Sequence, residues 1–274
     1  MRIHTSLIAL FGIAALAACG EKAERDITAP VTEPSGIRFF NFSVNSPTVQ
    51  FFANDKQVTA TNTANCNLAK NPPVTATDSA CVLAGIQTAT GVAYTGVAAG
   101  GLYTGIDAGQ YTLTGRQMSS SGPTTTISTV SANIESGKSY SYYQSGFYNA
   151  TTKTTDAFVI EDVIPTTIDW SKSLVRFVNT VGNSVPMTLV LVDTLGNATS
   201  IGGATAYKSG TTFTAVTPAP YDLHARDANG ADKIVRTFAT FMPGHVYSIT
   251  ARGDMTVTST TATNRPFLDI TESR

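Results

Sequence analysis

The sequence predicts an all-β protein built from one module used twice, and three observations carry that prediction. The first is composition. Only 14% of the 274 residues are charged, and the polarity comes from Thr, Ser, Asn and Gly. Residues suited to pleated surfaces are favoured over helix formers such as Glu, Lys, Gln and Leu. The second is self-similarity. Ile37-Arg38-Phe39-Phe40-Asn41 returns as Val175-Arg176-Phe177-Val178-Asn179. The third is turn chemistry. Asn229-Gly230 separates Tyr221–Arg226 from Ile234–Ala239, a strong short-range hairpin signal.

The chain begins with a leader. Arg2 and His4 precede the short apolar run Leu7–Leu16, which ends in Leu16-Ala17-Ala18-Cys19. The run is too short to span a bilayer and fits the h-region of a signal peptide. Its end resembles the bacterial lipobox, which implies cleavage after residue 18 and acylation of Cys19. Each buried methylene contributes about 0.8 kcal/mol, so two or three acyl chains hold a protein on a membrane where one is marginal. Gly20 follows in place of an aspartate, which in the enterobacterial sorting pattern favours the outer membrane. Residues 19–35 then read as a lipidated Cys and a flexible tether, with Pro30 and Pro34 and no apolar periodicity. The tether reaches about 50 Å when extended and roughly 20–25 Å as a coil.

Two blocks follow, residues 36–162 and 173–274, joined by a linker at 163–172. After the Arg-Phe-x-Asn opening, each block has a Pro-containing turn and an apolar strand: Ser46-Pro47 before Val49–Ala53, and Val185-Pro186 before Met187–Val192. Tyr103–Leu113 then matches Phe213–Leu223, with aromatic, turn, Tyr and Leu at the same spacing. Ile134–Ser141 matches Phe241–Ser248, and Phe158–Asp162 parallels Phe267-Leu268-Asp269. Landmarks in one order at this period mean two domains rather than a solenoid. Along Tyr221–Arg226, Tyr221, Leu223 and Ala225 alternate with Asp222, His224 and Arg226, which gives one dry and one wet face. Six to eight short strands per block suit an immunoglobulin-like β-sandwich. Pro165 stops the strand before the linker, and Trp170, the one Trp, is expected to pack between the sandwiches or cap the second.

The first block carries an insertion. Arg38 to Tyr111 spans 73 residues where Arg176 to Tyr221 spans 45. Cys66 and Cys81 lie inside it, and with Cys19 acylated they are the two thiols left in an oxidising compartment. A Cys66–Cys81 disulfide is expected, contributing about 3 kcal/mol by loop closure. The stapled loop is open to two readings, a binding element or a decoration without a ligand.

Residues for bond chemistry are sparse. His224 and His245 belong to no metal motif, and two Cys without a neighbouring His cannot fill a tetrahedral metal shell. Gly96–Gly101 lacks the Lys and helix of a phosphate loop, and no Gly-x-Ser-x-Gly elbow exists. The net charge of −1, with no basic run, argues against a nucleic-acid partner. No cofactor, metal or catalytic residue is expected. Arg252-Gly253-Asp254 has the form of an adhesion tripeptide, but a turn explains it equally well. Tyr140, Tyr142, Tyr143, Phe147 and Tyr148 form the densest aromatic cluster; alternation puts Tyr140 and Tyr142 on one face and Tyr143 on the other. Core packing takes part of it, and the rest is a candidate for stacking on sugars or a partner.

The landmarks together resemble tandem copies of domain-of-unknown-function family 4397 (DUF4397). Arg38-Phe39-Phe40-Asn41 with Ser46-Pro47 fits the family opening, and Ile106–Tyr111 and Gly137–Tyr140 fit its later motifs. The second block departs, with Pro218-Ala219-Pro220 in place of the Ala-Gly turn. The resemblance implies secreted or lipid-anchored bacterial proteins with immunoglobulin-like domains, and it carries over no catalytic residue. The expectation is a non-catalytic, lipid-anchored envelope protein with a protein or glycan partner. Two alternatives stay open: a glycan hydrolase with a dispersed carboxylate pair, and an assembly factor that pairs a sheet edge with a client strand.

Overall fold

The computed structural model describes residues 35–65, 82–87 and 90–273. The first block contributes β1 (Ser35–Asn41), β2 (Val49–Ala53), β3 (Lys56–Gln57), β4 (Ala60–Asn65), β5 (Val82–Gln87), β6 (Gly96–Val97), β7 (Thr104–Ile106), β8 (Gly109–Ser119), β9 (Gly122–Ile134), β10 (Ser139–Asn149) and β11 (Thr154–Glu161). The second contributes β12 (Ser173–Asn179), β13 (Met187–Asp193), β14 (Ala198–Thr205), β15 (Ser209–Gly210), β16 (Thr214–Val216), β17 (Pro220–Arg226), β18 (Asp232–Thr240), β19 (Val246–Arg252) and β20 (Phe267–Glu272). The described residues are all-β apart from one short 3-10 turn at Ala98–Gly101.

Each block folds as two facing sheets. In the first, the order β11-β10-β1-β6, with β7 also on β1, faces β3-β2-β8-β9; β4 and β5 form a separate hairpin. In the second, β15-β12-β19-β20, with β16 on β12, faces β14-β13-β17-β18. The repeated opening strand sits in the same place both times. It runs parallel to a later strand, β1 with β10 and β12 with β19, in matching register: Arg38 opposite Ser141, Arg176 opposite Ser248.

Alternation along the opening strand explains the motif. Ile37 and Phe39 point into the first block's core with Val49, Phe51, Leu113, Tyr140 and Tyr142. Val175 and Phe177 do the same in the second block with Leu189, Leu223 and Ile249. The intervening residues point to the opposite face, and there they meet the other block. Phe40, Phe42, Tyr143 and Phe158 of the first block form one buried cluster with Val178 of the second. Phe40 stacks on Tyr143 at 4.4 Å between ring centres. The two inner sheets therefore pack against each other, and β1, β10, β12 and β19 are buried on both faces over most of their length. Strands covered twice are near-continuously apolar, with polar groups admitted only in pairs.

The largest of those polar groups are the two arginines of the motif. Arg38 and Arg176 are almost wholly buried. Arg38 Nε donates to Ser141 Oγ at 2.8 Å in its own block, and its terminal nitrogens reach Ser248 Oγ at 3.0 Å and Ser273 Oγ at 2.8 Å in the other. Arg176 mirrors this. Its Nε donates to Ser248 Oγ at 2.8 Å, and it crosses to Ser141 Oγ at 3.3 Å and to the Asp162 carboxylate. Asp162 and Ser273 occupy equivalent places, each directly after the last strand of its block. Asp162 also lies 3.3 Å from Arg38 and accepts from Ser141 and Tyr103 hydroxyls at 2.6 and 2.5 Å. Tyr103 and Phe213, matched in the repeat, cover Arg38 and Arg176 with their rings at 4.8 and 4.9 Å. Burial pushes the Tyr103 hydroxyl pKa up, so it stays a donor to Asp162.

Further contacts join the blocks farther along the inner strands. Gly146 N donates to Thr180 O at 3.2 Å, and Tyr207 Oη donates to Asp156 at 2.9 Å. A Cβ on Gly182 would come within 3.0 Å of Gly146 Cα, so the backbones meet where only glycine fits. The described residues belong to one compact body. Strand pairing, however, stays within each block.

Removing one partner of a buried ion pair strands the other charge, which costs about 3–5 kcal/mol. Asp162→Asn is therefore expected to lower unfolding free energy by about that amount in urea titrations, since two buried guanidiniums lose their carboxylate. A loss below 1 kcal/mol would show that the network is incidental.

Candidate functional site

The strand directions bring several loops to one end of the second block. β18 and β19 are joined by the short turn 241–245, so β18 ends where β19 begins. β12 is parallel to β19, and β13 and β18 are each antiparallel to β17. The starts of β12, β14, β17 and β19 and the ends of β13, β18 and β20 therefore share that end. Ser173 Oγ caps it by donating to Met242 O at 2.7 Å, as Ser35 Oγ does to Glu135 O in the first block.

This end carries unusual exposed apolar groups. Phe238 is 87% exposed, Leu195 86%, Trp170 67% and Met242 51%. Phe238 is the most irregular of them. Its φ is +58°, and it alone among the described non-glycine residues combines a positive φ with a place inside a strand. The cause is a β-bulge. Tyr221 pairs with Ala239 and Leu223 with Arg236, so Thr237 and Phe238 together oppose Asp222. The bulge frees the Phe238 N–H from the ladder, and Asp222 Oδ1 accepts it at 3.0 Å. Strict alternation from buried Ile234 would put Phe238 in the core; the extra residue turns it outward and gives the core place to Ala239. A depression of about 90 Å³ lies beside the ring, lined by Val192, Asp193, Thr194, Pro220, Tyr221 and Asp222.

Carboxylates outnumber cations here. Asp169, Asp193, Asp222 and Glu272 lie at this end with Lys172 and His245, and His245 Nδ1 is 2.6 Å from Glu272. Asp193 is consumed by its turn. Its carboxylate accepts from Leu195 N, Asn197 N and Asn197 Nδ2 at 2.8–2.9 Å, and these bonds hold its pKa below the ordinary carboxylate value, Asn197 contributing most. Asp227 repeats the device in the β17–β18 turn, held down first by Lys233 and then by backbone N–H groups.

A second cluster sits at the opposite end. Arg236, Arg252 and Arg265 surround the Phe267 ring at 4.9–5.3 Å. Arg252 bonds Asp269, whose pKa burial nonetheless raises.

The residues singled out in the sequence distribute as follows. Cys19, Cys66 and Cys81 lie outside the described residues, and so does the core of the insertion. Tyr140, Tyr142 and Tyr143 are buried in the two expected directions, which leaves Phe147 as the exposed ring of that cluster. Trp170 rests on the β18–β19 turn, where a Cβ on Gly244 would be 2.6 Å from its ring. His224 is largely covered, with Nδ1 3.0 Å from Asp232, rather than solvated. Arg252 is buried against Asp269, so Arg252-Gly253-Asp254 does not display an adhesion tripeptide. No group of three or more His, Cys, Asp or Glu side chains that could hold a metal forms among the described residues.

No family model matches the chain, and no curated protein matches it. The likeness to DUF4397 repeats accordingly rests on the motifs alone.

A left-handed non-glycine residue carries strain of roughly 1–2 kcal/mol, while glycine costs about 0.5–1 kcal/mol in chain entropy. Since Phe238 buries little, Phe238→Gly is expected to raise stability by up to about 1 kcal/mol in thermal or urea melts; a loss of that size would mean the ring supports the fold. The depressed Asp193 and Asp227 carboxylates stabilise the fold at pH values above 3.8, and that contribution is lost as pH falls through their folded-state values. Asp193→Asn is expected to flatten the acid limb of the stability profile below pH 4, measured by urea unfolding from pH 2 to 6.

Proposed function

We propose that the chain is a non-catalytic, lipid-anchored module of the bacterial cell envelope, with two immunoglobulin-like sandwiches that present a binding end. One observation carries this reading. The most deeply buried convergence of charged groups, Arg38, Arg176 and Asp162, is sealed between the inner sheets with side-chain exposure of 0–2%, where it acts as a fastening. Phe238, Leu195 and Trp170, the most exposed large apolar side chains among the described residues, lie at the end of the second block instead. Backbone strain retained at an exposed aromatic is a common mark of a contact site. The anchor is supported by the leader and Leu16-Ala17-Ala18-Cys19, and Gly20 after it favours the outer membrane by the enterobacterial sorting pattern. In this reading Cys66 and Cys81 form a disulfide that staples the insertion.

The alternatives fit less well. A glycosidase acid needs a raised pKa; Asp193, which shares the Phe238 depression with Asp222, is shifted the other way, and Asp269, which burial raises, is ion-paired to Arg252. The outer edge of β14 is broken where residues 202–204 stand opposite Thr188, which blunts it as a template for a client strand.

The test is fractionation of the expressing cells. The native protein is expected in the membrane pellet with an acylated Cys19 peptide by mass spectrometry, and Cys19→Ser in the soluble fraction. Native protein with an unmodified Cys19 would end the reading.

A further inference from the structure

We infer that the end of the second block around Phe238 binds a glycan, with Phe238 as the stacking platform and Asp222 and Thr194 as hydrogen-bond partners of the sugar hydroxyls. This rests on the binding-module reading and names its ligand class. Three observations converge on it.

The first is the ring itself. A planar aromatic side chain, 87% exposed and turned outward by a bulge, presents an apolar face to solvent. The Asp222 contact to its backbone N–H holds the bulge that points the side chain outward. A flat face at low conformational cost suits the C–H face of a pyranose. The second is polar capacity at the rim. Asp222 Oδ1 is engaged by Phe238, and neither Asp222 Oδ2 nor the Thr194 hydroxyl has a partner among the described residues. The depression between them, about 90 Å³, has room for one edge of a sugar ring. The third is charge. Among the described residues Asp169, Asp193, Asp222 and Glu272 lie at this end with Lys172 and His245.

Charge decides between the occupants that exposed apolar side chains suggest. An anionic leaflet attracts basic segments by about 1 kcal/mol per cation and repels acids by the same physics. An acidic end is therefore a poor match to such a surface. A sugar has no such conflict, because its hydroxyls donate to carboxylates. The same argument excludes acidic polysaccharides and favours neutral or amino sugars. Trp170, exposed at the same end, provides a second ring for a longer chain.

The experiment is isothermal titration of the mature chain carrying Cys19→Ser with chitohexaose and with its deacetylated, cationic form. Both are expected to bind, the cationic form more tightly, and the preference to shrink with added salt. Phe238→Ala is expected to weaken binding at least tenfold with the melting curve retained. Asp222→Asn keeps the Oδ1 acceptor, and it is expected to reduce the preference for the cationic sugar. Val185→Ala, an exposed apolar change at the opposite end, is expected to leave affinity unchanged. Absence of binding to both sugars, or equal binding by Phe238→Ala, overturns the proposal. So does sedimentation with phosphatidylcholine vesicles without sugar binding, which would make this end a lipid contact. Chromatography of the sugars after incubation separates the two readings: shortened chains would overturn the non-catalytic function, whereas intact but unbound chains overturn only the glycan.

Discussion

Two guanidinium groups buried against a single carboxylate set the terms for this fold. Neither Arg38 nor Arg176 can satisfy its donors inside its own block. Each uses Nε at home and sends its terminal nitrogens across to the other block's serine and to the residue after its last strand. A buried charge without partners is very expensive, so separating the blocks would have to hydrate both arginines and Asp162 together. The pseudo-symmetry of the network is imperfect: Asp162 has Ser273 as its counterpart, and Tyr103, which donates to Asp162, has Phe213. Two aspartates would balance the charge, but a single one is shared by both arginines: Asp162 meets Arg38 within its own block and Arg176 across the junction.

The rest of the architecture follows from that shared face. The inner sheets lose their solvent side, so their strands alternate between two apolar environments rather than between core and water. Phe39 goes to the first block's core while Phe40 goes to the junction; Tyr142 and Tyr143 divide in the same way. The outer sheets keep a wet side, and irregularity collects there. Bulges at Phe238 and along β14 break registers there, while the central parallel pairs β1–β10 and β12–β19 keep theirs intact. The rigid middle thus leaves one end of the second block free to hold a strained aromatic residue.

Much of this was legible in the sequence. The Arg-Phe-x-Asn repeat located the strands at the centre, because a motif used twice reflects a place used twice. Alternation gave the correct split of the tyrosines. What it did not reveal was the partner of the arginines. Each motif reads as a strand with one polar residue on a wet face, and only the packing of the blocks shows that this face is dry. Phe238 was hidden for a different reason. The pattern Ile234, Arg236, Phe238 keeps perfect period two, and a one-residue bulge has no strong local signature without glycine. A φ of +58° at phenylalanine goes against local preference, so it emerges only from the three-dimensional register. The departure of Pro218-Ala219-Pro220 from the first block's turn, close by, was the one available hint that this end had diverged.

Native-state hydrogen exchange on the amides of β1, β10, β12 and β19 examines the central claim most directly. If the sealed arginine network makes the two blocks one cooperative body, these four strands exchange with a common opening free energy and respond to urea with a common slope. Two separate opening energies, one for β1 and β10 and another for β12 and β19, would contradict it.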